Sequence, residues 1–121
     1  MIHEMKLQPK YYNFILHGTK RIELRLNDDK RQKIKLGDKI KFIKEPNLNE
    51  YFETKVIGLL KYNSFLELFN DIDINILADK NITKQELIKD LEKFYTKENQ
   101  QKYGVIGIRI ELINNSEKIV S

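Results

Sequence analysis

The chain has no cysteine in its 121 residues, which rules out disulfides, thiol nucleophiles and cysteine-bound zinc. Histidine is almost as scarce: His3 and His17 are the only two, too few soft ligands for a preformed zinc site. No apolar run approaches the roughly 20 residues of a membrane-spanning helix. The opening MIHEMKLQPK also lacks the apolar core of a secretory signal, so an intracellular, cytoplasmic protein is expected. Internal repeats, linkers and composition breaks are missing too. One domain is therefore expected over residues 1–113, followed by a tail at 114–121 that packs nowhere and frays.

What is present begins with charge. Hydrophobic residues make up 40% of the chain and charged residues 33%, a globular composition rather than a disordered one. The net charge is +4, yet its distribution is uneven. Between positions 20 and 44 stand ten cations (Lys20, Arg21, Arg25, Lys30, Arg31, Lys33, Lys35, Lys39, Lys41, Lys44) and four anions (Glu23, Asp28, Asp29, Asp38), which is +6. Two readings fit this excess: a face for a polyanion such as RNA, or a lysine-rich solvated surface.

Periodicity gives a strand at each end with helices between. In IHEMKLQ, His3, Met5 and Leu7 share one face, as in a half-buried strand. Pro9 suits the first helical position, Tyr11 stacks on Ile15 and Tyr12 on Leu16, and Gly18 suits a left-handed cap. His17 reads as a surface residue that compensates the helix dipole. KLGDKIKFIK reads as a Gly-Asp turn and a strand with Ile40 and Phe42 inward. A longer strand, YFETKVIGLLKY, would place Phe52, Val56 and Leu60 on one face. Ser64 with Glu67, and Thr83 with Glu86, are capping-box patterns that each open a helix. In the second of these helices Leu87, Leu91 and Phe94 have the spacing of core residues. Thr96 starts a further short helix ending before Tyr103 and Gly104, and VIGIRIELI is the last strand. The expected fold is α+β: a mixed sheet of five strands curled into a small barrel, with helices inserted at one side. Such a barrel fills itself with side chains, so a ligand has to sit at its mouth or between barrel and helices.

The stretch GTKRIELRL follows the glycine turn. Glu23 and Arg25 share a strand face, and Arg25 offers a planar donor fork to a phosphate or a base edge. Lys20 has the opposite parity, with Ile22 and Leu24, and joins them only if it lies in the turn before the pleat begins. On residue types alone a cross-strand salt bridge through Glu23 is the plainer reading. However, GTKRIELR resembles the G-x-K-x-x-E-x-R motif of the ASCH domain family, in the PUA-like superfamily. The helix ending in the motif's glycine, DDKRQKIKLGDKIKF after it and KYGVIGIRIEL near the end agree, so the resemblance runs from about His3 to Leu112. It implies a PUA-like β-barrel with a cleft beside it, and binding of RNA or modified nucleosides.

One branch of that family resembles an amidohydrolase acting on acetylated cytidine. There a lysine matching Lys20 works with a threonine nucleophile, and that threonine matches Glu23. A carboxylate is a poor replacement for a hydroxyl, although it can act as a general base on water if its pKa is raised. If the protein is an enzyme, an amidohydrolase or a ribonuclease, Lys20 and Glu23 are the expected catalytic pair, with Glu67 or Glu86 as possible third members. The expected ligand contacts are Lys20, Glu23, Arg25, Lys30, Arg31, Tyr103 and His3, with Lys33 and Lys35 also facing phosphate. No metal or other cofactor is expected; Asp28 and Asp29 read as turn residues. The expected partner is RNA or a modified nucleoside, with no membrane, and no motif points to a protein partner.

Overall fold

The computed structural model describes residues 1–18, 20–77, 82–113 and the backbone of 118–119. Thr19 of the motif and most of the tail at 114–121 lie outside the described residues. The strands are β1 (Ile2–Leu7), β2 (Ile22–Leu26), β3 (Lys39–Lys44), β4 (Glu50–Tyr62), β5 (Val105–Leu112) and the short β6 (Lys118–Ile119). The helices are α1 (Pro9–Leu16), α2 (Phe65–Asp71), α3 (Lys84–Phe94) and α4 (Lys97–Tyr103). The sheet runs β1-β3-β4-β5-β2, with β1 parallel to β3, the other pairings antiparallel, and β6 added to β4. The result is the expected α+β architecture, a mixed sheet curled into a half-barrel, with β1 and β2 as its two unjoined edges.

The chain's local chemistry explains these elements. Pro9 opens α1, the His17 N–H closes it on Asn13 O, and Gly18 follows at φ 80°, a conformation that suits glycine. Thr83 and Glu86 form the full reciprocal box of α3. The Ser64 pattern is only half realised: Ser64 accepts from the Glu67 N–H, but Glu67 accepts from the Asn63 N–H rather than from Ser64. Thr96 caps α4, which extends through Tyr103 to Gly104.

The core has two parts. Inside the half-barrel, Met5, Leu7, Tyr12, Ile15, Phe42 and Phe52 are buried with Ile106, Ile108 and Ile110. On the other side of the sheet, Ile22, Leu24 and Val105 pack with Phe65, Leu68 and Leu87 from the helices. Neighbours on a strand face opposite ways, so β5 serves both cores. Gly107 allows this, because an added Cβ would sit 3.1 Å from Ile22 Cγ2 and 3.2 Å from Leu68 Cδ1. A bulge between Val56 and Gly58 shifts the phase of β4. Phe52 and Val56 therefore face the half-barrel as expected, whereas Leu60 turns to the helical core.

His3 lies at the start of β1, with Nε2 2.8 Å from Asp38 Oδ2 in the turn that leads into β3. That contact and the Lys35 N–H hold the Asp38 carboxyl at about 2, below its ordinary 3.8. The folded value is the lower one, so the contribution is present above about pH 4 and is lost as pH falls toward 2. Asp38→Asn should flatten the acid limb of stability in that window, read as urea midpoints at several pH values. An unchanged acid limb would show that the pairing does not stabilise the fold.

Candidate functional site

Glu23 and Arg25 sit opposite Ile108 and Ile106 in the β2–β5 register, so both point to the half-barrel side of the sheet. The half-barrel core lies on this face, and Glu23 is only 4% exposed there. β2 begins at Ile22, which leaves Lys20 in the preceding turn, where its N–H donates to Phe14 O. Freed from the pleat, the Lys20 side chain joins the other two despite its parity. Its Nζ lies 3.6 Å from Glu23 Oε1 and donates to Leu77 O at 2.8 Å. Arg25 donates through Nε to Glu23 Oε2 at 3.0 Å and through Nη2 to Lys6 O at 3.0 Å, so it bridges the two free edges of the sheet. The Leu24 N–H completes the carboxylate's partners at 3.2 Å.

These contacts set the charges. Burial pushes the Glu23 carboxyl up, but Arg25 and Lys20 outweigh it and hold the group below its ordinary range. Burial draws the Lys20 ammonium down, against the pull of Glu23. Arg25, opposed by burial but favoured by Glu23 and Tyr95, is held firmly charged. Burial raises the Tyr11 and Tyr95 phenols, and Asp90 adds to the rise at Tyr11 by accepting its hydrogen bond.

The trio lines one side of an open cleft of about 170 Å³ between β1, α1, β2 and α3. Tyr11, Phe94 and Tyr95 supply its aromatic walls, and Asp90 and Glu45 stand in the lining. The sequence reading missed these residues. Asp90 had a signal, because it falls on the same helical face as Leu87, Leu91 and Phe94, three and four residues from its neighbours. Glu45 had none; the end of β3 brings it there.

The other expected contacts lie elsewhere. His3 is paired with Asp38, and Tyr103 is half-buried at the end of α4 with Lys102 Nζ 5.1 Å over its ring. Lys30, Lys33 and Lys35 are exposed on the turn at 27–35, outside the cleft. Arg31 pairs with Asp28 at 3.3 Å, and its charge also reaches Tyr95. Glu67 and Glu86 are exposed cap residues and do not enter the cleft. Among the described residues no three His, Cys, Asp or Glu side chains gather as a metal site, and no helix is long and apolar enough to cross a membrane.

Fold and site together define a small half-barrel protein with a ligand-sized cleft at its open edge. The ASCH domain model matches residues 5–114, and the chain belongs to the ASCH domain family. The crystal structure of hypothetical protein PH0355 superposes with a TM-score of 0.81 at 39% identity, covering 93% of this chain and 100% of that one. The solution structure of protein PF0455 from Pyrococcus furiosus gives 0.75 at 34% identity, covering 94% and 99%. ASCH from Zymomonas mobilis gives 0.61 at 10% identity, covering 91% and 66%, a likeness of fold alone. No curated protein matches the chain.

Proposed function

We propose that this is a cytoplasmic domain, residues 1–113, that binds RNA or a modified nucleoside, with a base seated against Lys20, Glu23 and Arg25. The observation that carries the reading is an ion cluster at the edge of an open cleft, with Lys20 and Glu23 buried and Arg25 mostly so. A buried ion pair is weak support for a fold, because desolvation offsets the attraction. As a cleft wall, the same groups present an acceptor and fixed donors to a base edge. The cations of the 27–35 turn then lie outside the cleft, where the phosphates of a bound strand would pass. Geometry offers no such role to His3 or Tyr103.

The hydrolytic alternative is less well supported. A general base on water needs a raised carboxyl pKa, and Glu23 is shifted the other way. Ribonuclease chemistry would meet the same obstacle.

A two-dimensional amide NMR titration tests the reading. Acetylated cytidine should shift residues 20–26 together with Tyr11, Phe94 and Tyr95, without conversion. A short single-stranded RNA should spread the shifts to Lys44 and lose them as salt rises. Product forming in the tube would favour the hydrolase, and silence with both ligands would sink the proposal.

A further inference from the structure

We infer, on the strength of the nucleoside reading, that the cleft accepts an uncharged flat ring stacked on Phe94 and that phosphate stays outside it. The sequence carries a charge excess over positions 20–44, but the cleft lining is balanced: Lys6, Lys20 and Arg25 against Glu23, Glu45 and Asp90. The Lys20 and Arg25 donors also have partners already. Lys20 is held by Leu77 O and Glu23, and Arg25 by Glu23 and Lys6 O. A phosphate entering there would bring negative charge against the buried Glu23 carboxylate and compete with it for Lys20 and Arg25, whereas an uncharged base edge adds no charge.

The aromatic wall points the same way. Phe94 has the spacing of a core residue, yet it is 59% exposed while Leu87, on the same face of α3, is 1% exposed. Its ring stands at the cleft, 6.4 Å from that of Tyr95, which is itself fixed against Phe65 at 5.7 Å. An exposed ring beside a polar wall suits a flat heterocycle, whose faces are apolar and whose edge hydrogen-bonds. The volume agrees, because about 170 Å³ is below the roughly 300–1,000 Å³ of drug-sized pockets and leaves room for one ring system.

The test is calorimetric and NMR titration of the full chain with the four common nucleosides and their 5′-monophosphates, at about 50 and about 500 mM salt. At least one nucleoside should bind with a Kd that moves less than about twofold between the two salts, and its monophosphate should bind no more than about twofold tighter. Phe94→Ala should weaken that nucleoside about tenfold and Phe94→Trp should restore it, with amide positions outside the cleft unchanged. A monophosphate bound tenfold or more tighter, with steep salt loss, would overturn the inference. So would Phe94→Ala that leaves affinity intact while residues 20–26 still shift; both results keep the nucleoside reading. A response to RNA with every nucleoside silent overturns the inference and keeps RNA binding, whereas silence throughout overturns both.

Discussion

Glu23→Ala should cost the fold about 3–5 kcal/mol, because it strands the buried Lys20 and the mostly buried Arg25 with no anion between them. For a domain whose total stability is about 5–15 kcal/mol, that is a large share. The measurement is a denaturant midpoint with its slope. A loss below about 1 kcal/mol would show that the cations relax into water and that the trio is not a fixed unit. The triple variant Lys20→Met, Glu23→Leu, Arg25→Met separates stability from function. It should recover part of the loss, since an apolar replacement of a buried ion cluster is often neutral or stabilising. The remainder should reflect the Leu77 carbonyl, deprived of its buried donor at about 1–3 kcal/mol, whereas the exposed Lys6 carbonyl can turn to water. This stable protein should no longer respond to nucleoside or RNA. Retained binding would refute the trio's role in the site. The acid side gives a further check. With the folded Glu23 value lowered, its contribution is present above about 4.5 and is lost as pH falls below that, so the triple variant should be less acid-sensitive than the native chain.

The second large effect is expected from Phe52→Ala, at about 3–5 kcal/mol. Phe52 is fully buried on β4, with its ring centroid 4.8 Å from that of Tyr12 on α1 and 5.5 Å from that of Phe42 on β3. Truncation removes a ring contact between α1 and the sheet and leaves a cavity among large side chains unable to close it. Because α1 also carries Tyr11, the cleft wall should loosen and nucleoside binding should weaken together with stability. Phe52→Leu, which keeps most of the volume, should do much less. If Phe52→Ala unfolded at the native midpoint, the half-barrel interior would have to be less tightly packed than the ring distances indicate.

Much of this fold was legible because its signals are local. Pro9, Gly18, Thr83 and Thr96 act on the backbone within a few residues, so the bounds of α1, α3 and α4 follow closely from the sequence. The alternation at Ile40 and Phe42, and at Ile106, Ile108 and Ile110, marks strand faces directly. Leu60 leaves the face expected from its spacing to Phe52 and Val56 because a bulge at Val56 and Gly58 resets the phase, and a bulge has no signature in apolar spacing. Phe94 was read as core for a similar reason: helical spacing tells which face a residue is on, but not where the neighbouring element stops covering it.

The candidate site divides along the same line. The sequence by itself determined the chemical types, an acid and an arginine sharing one strand face with a lysine just before it, and the family pattern they fit. Only the tertiary structure decided that this face lies on the half-barrel core, through the pairing of Glu23 and Arg25 with Ile108 and Ile106. It also decided that Lys20 escapes the pleat, that Asp90 and Phe94 come across from α3, and that the cleft is electrically balanced while the excess charge lies outside it, on the 27–35 turn and β3. The physical reason is range. Propensity, capping and alternation act over a few residues, whereas burial and charge balance depend on segments as distant in the chain as Lys6 and Tyr95, which meet only when the sheet curls and its edges face each other.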